Sequence, residues 1–199
     1  MVKPKETVLG ESLKYIRKNG TLKLQKVNDT SIYVSIIESL QDMLTNDRLA
    51  KILIKKPSYN REGVYYDVCD GNHYKNSSFF QKPHPVFSII IFQDAVEICN
   101  PLGNRSGKHK LVNFYWTLLN IPPQLRSKLH SMKLFAMVSK PNLDKYSFYE
   151  VLKPFFEELH KLFHGVEFKI NNQDIKCFGN VILCLGDTEG QHQIGGFKV

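Results

Sequence analysis

The chain has 199 residues, 42% of them hydrophobic, enough for one buried core with a small extra lobe and too few for two large independent domains. Its 27 Lys and Arg against 19 Asp and Glu leave a formal charge of +8, which favours polyanionic partners, nucleic acid first, although a solvated basic surface accounts for the same excess. Four scattered cysteines, Cys69, Cys99, Cys177 and Cys184, fit neither a disulfide framework nor a zinc site. The start, Met1 to Glu6, lacks an apolar signal core and no stretch reaches bilayer-spanning length, so the expectation is an intracellular protein, nuclear or cytoplasmic, without a membrane partner.

Residues 1–28 are polar and basic, with Gly10 and Gly20 as breakers, and are expected to form a flexible lead-in that adds little to the core. Lys14 to Lys26 is too interrupted by Tyr15, Ile16, Leu22 and Leu24 to make a good nuclear address. From Asp29 or Thr30, the positions Ile32, Val34, Ile36, Ile37, Leu40, Met43 and Leu44 recur at helical spacing, and Leu49 to Ile54 predicts a second helix. Pro57 to Pro85 is turn-rich, aromatic and polar, an irregular connector. Residues 29–85 therefore read as a helical cap plus connector.

The main domain is expected over residues 86–199. Phe87 to Asp94 is a buried strand continuing into Val96 to Cys99, and Asn100 to Lys110 is a basic, glycine-containing loop without the spacing of a phosphate-binding P-loop. Leu111 to Ile121 is extended, Pro122 and Pro123 stop it, and Met132 to Val138 alternates as a third strand. Asp144 to Phe163 carries apolar residues at helical spacing, with a kink expected at Pro154 and a stop at Gly165. Val166 to Phe178 reads as a hairpin about Asn171 and Asn172, and Val181 to Asp187 as a last strand. The order predicts an α/β (α+β mixed-sheet) domain: a three-strand antiparallel meander, one long crossover helix and a fourth strand parallel to the first.

In that arrangement Asp94 and Asp187 close two parallel neighbours at one rim of the sheet. Two such carboxylates repel unless they share a cation, and a divalent pair could activate the attacking oxygen and stabilise the leaving one in phosphodiester chemistry. By residue pattern alone, an aspartate closing a strand is more often a turn former or helix cap.

A family resemblance adds to this reading. The segments Tyr66-Asp67-Val68-Cys69-Asp70-Gly71, Ile89 to Asp94, Asn100-Pro101-Leu102-Gly103, Lys108-His109-Lys110-Leu111, Asn120 to Arg126, Gly186 to His192 and Ile194 to Phe197 follow one another in an order and spacing that resembles the front half of a DDE transposase of the CACTA-type and related cut-and-paste elements, with a ribonuclease-H-like catalytic fold. The resemblance implies that Asp94 and Asp187 are the first two catalytic and metal-binding carboxylates, that the cofactor is Mg²⁺ or Mn²⁺, and that DNA is the substrate. It also asks for a third acidic residue on a later helix, which Glu189 is too close to Asp187 to supply, so the expectation is a partial, truncated ribonuclease-H-like core, inactive alone, needing a missing C-terminal part or a homo-oligomeric partner.

Two other readings compete. One is a non-enzymatic nucleic-acid-binding or protein-interaction module whose basic surface comprises Arg105, Lys108, His109, Lys110, Arg126 and Lys128. The other is a relic open reading frame without a selected role. His109 and His192 could approach a phosphate or a metal, but a lone histidine in such a loop is more often solvated.

Overall fold

The computed structural model describes residues 2–57, 63–97 and 110–186. They form a mixed α/β structure around one seven-stranded, mostly antiparallel sheet. In chain order the elements are β1 (Lys5–Lys18), β2 (Thr21–Tyr33), α1 (Ile36–Leu44), α2 (Asp47–Leu53), α3 (Asn72–Asn76), β3 (Val86–Glu97), β4 (Lys110–Leu118), α4 (Pro123–Arg126), β5 (Lys133–Ser139), α5 (Lys140–His164), β6 (Val166–Ile170) and β7 (Gln173–Gly186), with single 3₁₀ turns at Val68–Asp70 and Leu129–Ser131. The strand order across the sheet is β1-β2-β5-β4-β3-β7-β6.

The predicted meander is present: β3 pairs antiparallel with β4, and β4 with β5. After α5, the chain returns to lay β7 parallel to β3, from Val86 opposite Phe178 to Gln93 opposite Gly186. Alternate residues of β3 serve two cores. Phe87, Ile89 and Ile91 join Phe114, Trp116, Phe135 and Phe155 in a larger core roofed by α1, α2 and α5, while Val86 and Ile90 join Cys69, Tyr74, Phe80 and Leu119 in a smaller one beneath. Burial on both faces is why this strand reads as an unbroken apolar run.

The expected flexible lead-in is instead a long β-hairpin. Asn19 and Gly20, with φ of 51° and 82°, make the two-residue turn that suits the right-handed twist of paired strands, and Lys18 faces Thr21 across it. Only Ser31, Ile32 and Tyr33 of β2 join β5, so the rest of the hairpin is a two-stranded ribbon. The helix expected from Asp29 or Thr30 consequently starts later. Ser31 and Tyr33 turn inward in a strand, and α1 begins at Ile36 with Ser35 as its N-cap, accepting from the Glu38 backbone N–H.

The long helix extends beyond its expected start at Asp144, back to Lys140. Its non-helical residue is Ser147 (φ 70°) rather than the expected Pro154, so α5 is two helical segments joined at a kink. Gly165 (φ 98°) ends it, where a Cβ would lie 2.4 Å from Lys176 Cε and 2.9 Å from the Phe178 ring. The Glu158 carboxylate on α5 accepts hydrogen bonds from the Tyr33 hydroxyl (3.0 Å) and the Ile37 backbone N–H (3.2 Å), joining the hairpin base, α1 and α5. The predicted hairpin about Asn171 and Asn172 is observed as β6 and β7, both asparagines at positive φ. Gln41 of α1 covers the outer edge of β6 by exchanging two hydrogen bonds with the Lys169 backbone, as a neighbouring strand would.

Candidate functional site

The carboxyl ends of the parallel pair β3 and β7 are where an α/β sheet most readily opens a site. Asp94 lies there, opposite Asn113 of β4, and β3 continues past it to Glu97, so this aspartate sits within the strand rather than closing it. By the two-residue alternation of a strand it shares the face of Ile90 and Phe92, one step beyond the smaller core. It is solvent-exposed. A cavity of about 470 Å³ opens beside it, lined by Phe92, Gln93, Asp94, Tyr115, Leu129, Met132 and Gly186. A mostly apolar wall with one carboxylate at its edge can seat a flat, partly apolar group and hold a cation or donor at the rim.

The second aspartate of the sequence reading, Asp187, lies outside the described residues, as do Arg105, Lys108 and His109. The last described pair of the parallel ladder, Gln93 with Gly186, immediately precedes both aspartates in the sequence. Among the described residues no group of three or more His, Cys, Asp or Glu side chains could hold a metal ion. Asp94 is a single carboxylate, so the described residues do not by themselves make a divalent-metal centre.

The remaining basic residues of the sequence reading do not form one surface. Lys110 opens β4 opposite Glu97, near Asp94. Arg126 lies beyond the other end of β4, where its guanidinium donates to both Asp67 carboxylate oxygens (2.9 and 2.6 Å) and to the carbonyls of Leu119 and Ile121 (each 2.9 Å). Its side chain is 13% exposed and that of Asp67 is 7%. A bidentate, nearly enclosed pair of this kind is a structural weld, which corrects the expectation of Arg126 as a phosphate contact. Lys128, two residues on, is exposed.

That weld has a neighbour on each side. Gln124 donates to the Tyr66 hydroxyl (2.6 Å), and buried Asn120 donates through its amide to the carbonyls of Leu53, Lys55 and Val86 while accepting from the Ser88 N–H. Asp70 in turn accepts from the backbone N–H groups of Tyr66 and Asp67, which hold its carboxyl below the usual carboxylate range. The segments 66–71 and 120–126, far apart in sequence, thus form one interlocked corner supporting the strand that carries Asp94.

Sequence reasoning missed a second polar cluster. Asp29, 1% exposed, accepts from Ser12 Oγ, Lys14 Nζ (2.8 Å), Lys145 Nζ (2.9 Å) and the Tyr146 hydroxyl (2.9 Å). Burial alone would raise its carboxyl pKa, but the bonds from Lys14, Ser12, Lys145 and Tyr146 outweigh it and hold the group well below its ordinary range. Tyr146 reaches Asp29 only because Gly10 is bare: a Cβ there would lie 2.6 Å from the tyrosine oxygen.

The described thiols are all held in their protonated form more firmly than a free cysteine, Cys184 by burial. Burial, then the charges of Asp67 and Asp70, pushes Cys69 up to about 11, and burial pushes Cys177 up to about 12. No helix among the described residues is long and apolar enough to cross a membrane. Comparison with known protein families and with curated proteins finds no match for this chain.

Proposed function

We propose that the chain is the front part of a ribonuclease-H-like polynucleotidyl transferase core of the DDE transposase kind, ancestrally a Mg²⁺- or Mn²⁺-dependent enzyme of DNA cleavage and strand transfer. The observation that carries this reading is the connectivity of β3, β4, β5, α5 and β7: an antiparallel meander whose first strand takes the returning strand alongside, in parallel. The order β5-β4-β3-β7 is the arrangement that such a core requires, with β1-β2 and β6 as additions at its two sides. The cavity beside Asp94 supports it as well, since it opens at the carboxyl end of that parallel pair.

In this reading Asp94 and Asp187 would hold the metal, whose contribution when bound is to activate an attacking oxygen on a phosphodiester. Asp94 lines the cavity at the carboxyl end of the parallel pair, opposite Asn113 in the β3-β4 ladder.

Isothermal titration of the full chain with Mn²⁺ tests the reading. Weak binding that is lost in both Asp94→Ala and Asp187→Ala supports it. Binding that persists unchanged in the two variants, or no binding by the parent chain, overturns it.

A further inference from the structure

The hairpin that replaces the expected lead-in is a candidate contact surface in its own right. From Ser12 to Asn28 it carries five cationic side chains, Lys14, Arg17, Lys18, Lys23 and Lys26, and no acidic one. Lys14 is engaged at Asp29, and Lys26 pairs with Glu11 at 3.1 Å. Arg17, Lys18 and Lys23 are exposed around the turn and make no ion pair among the described residues.

The register sorts the two faces. Tyr15 faces Leu24, Arg17 faces Leu22 and Leu13 faces Lys26, which puts an apolar row on one side; Lys14 faces Gln25, Ile16 faces Lys23 and Lys18 faces Thr21 on the other. On the first side Leu13, Tyr15, Leu22 and Leu24 are 63, 73, 64 and 51% exposed, a cost a two-stranded ribbon meets without a third layer. From Asp29 to Thr21, the first residue after the turn, the strand reaches out roughly 27 Å at about 3.4 Å per residue.

We propose that this ribbon, residues 12–28, is an arm that binds duplex DNA by entering a groove. A two-stranded ribbon fits the roughly 12 Å width of the B-form major groove. Of its five cations, Arg17, Lys18 and Lys23 make no ion pair among the described residues and meet phosphates of the groove walls, while Tyr15 and the leucines give apolar contact to sugars and base edges. An anionic lipid surface would satisfy the charge, but the ribbon carries its cations on both faces rather than gathered on one polar side, Arg17 and Lys26 on the apolar row and Lys18 and Lys23 opposite. A second copy of the ribbon would add more cations and no acid to pair with them.

The arm is independent of the metal reading: failure of Mn²⁺ to bind at Asp94 leaves it intact, and failure of DNA binding leaves the metal pair intact. The test is fluorescence anisotropy of the full chain with a labelled duplex of about two dozen base pairs, titrated across KCl concentrations. Replacing Arg17, Lys18 and Lys23 together by Gln is expected to weaken binding more than tenfold and to lower the log–log salt slope by roughly 2 to 3, about 0.9 for each phosphate no longer neutralised. A Leu22→Ser, Leu24→Ser variant is expected to lose affinity without losing slope. Duplex RNA, whose deep narrow major groove excludes side chains, is expected to bind more weakly than DNA.

Unchanged binding and slope in the triple-Gln variant, with its far-UV circular dichroism intact, overturns the proposal, and so does equal affinity for duplex RNA. Binding to phosphatidylserine vesicles without binding to duplex, or a dimer in sedimentation that disappears in the Leu22→Ser, Leu24→Ser variant, overturns it in favour of lipid or a second copy. If the triple variant fails to fold, Arg17→Gln and Lys23→Gln made singly decide the same question, each expected to lower the slope by about one.

Discussion

The centre of the sheet and the β1-β2 ribbon are both built from antiparallel pairs, yet they are held by opposite means. At the centre, β3 is sandwiched between two cores and its neighbours are fixed by Phe87, Trp116, Phe135 and Phe155. In the ribbon the outer residues bury almost nothing, and what holds the arm in place is a polar attachment at Asp29 near its base. Apolar burial scales with area and tolerates no missing volume, whereas a charge cluster is short-ranged, directional and sensitive to protonation. A protein can therefore present an exposed, chemically adaptable arm without drawing on the stability of its core.

Substitutions should separate the two regimes. The largest effect is expected for Phe155→Ala, which removes a fully buried ring packed on Phe135 at a centroid distance of 4.6 Å. A loss of about 3–5 kcal/mol in urea unfolding is expected, and a loss below about 1 kcal/mol would mean that α5 does not seal the core. Arg126→Ala comes next, at about 2–4 kcal/mol, because it strands the Asp67 carboxylate and two backbone carbonyls in a nearly enclosed corner. Arg126→Lys should recover only part of this, since an ammonium cannot reproduce the two-pronged contact.

Asp29→Asn is expected to cost about 1–3 kcal/mol at neutral pH, less than a fully enclosed pair because the side chains of Lys14 and Lys145 are 50 and 45% exposed. Its pH dependence sharpens the comparison. The folded-state pKa of Asp29 is depressed, so its contribution is complete above the unfolded carboxylate value near 3.9 and is lost as pH falls below it. The parent chain should lose stability faster than Asp29→Asn between about pH 4 and pH 2 in thermal melts, and parallel curves would remove Asp29 from the account. The smallest effect belongs to the ribbon tip: Leu22→Ser and Leu24→Ser should each change unfolding free energy by no more than about 0.5 kcal/mol. A larger loss would show that the apolar row is already covered in the free protein.

The same contrast explains what can be read from the sequence. Phe87 to Gln93 stands out as a strand because a strand buried on both faces needs a run of branched and aromatic residues, and Met132 to Val138 and Val181 to Leu185 carry the same residue types, the latter only partly buried. The Asn171-Asn172 turn and the Gly165 stop are equally plain, each occurring where a positive φ is required. The ribbon is not, because hydrophobic density marks buried strands and its outer portions have little. Its signal is local: Asn19-Gly20 flanked by the alternating pairs Leu13, Tyr15 and Leu22, Leu24, the strongest short-range mark of a hairpin.

Arg126 misleads for a related reason, since charge alone does not distinguish a cation reaching for phosphate from one already gripped by Asp67. The place of Asp94, near the carboxyl end of a strand with a parallel neighbour, is legible in the sequence. The cavity beside it is not, because Tyr115 reaches it from β4 and Leu129 and Met132 from the turn before β5.

Ser147 gives the ribbon a mechanical meaning. The residues that grip Asp29, Lys145 and Tyr146, precede the kink, and most of the helix that packs on the sheet follows it. Ribbon, aspartate and the opening turns of the helix are thus tied together on the near side of that kink, while Tyr33 at the hairpin base grips Glu158 on the far side, so the two halves of the helix clasp the arm at two different points along β2.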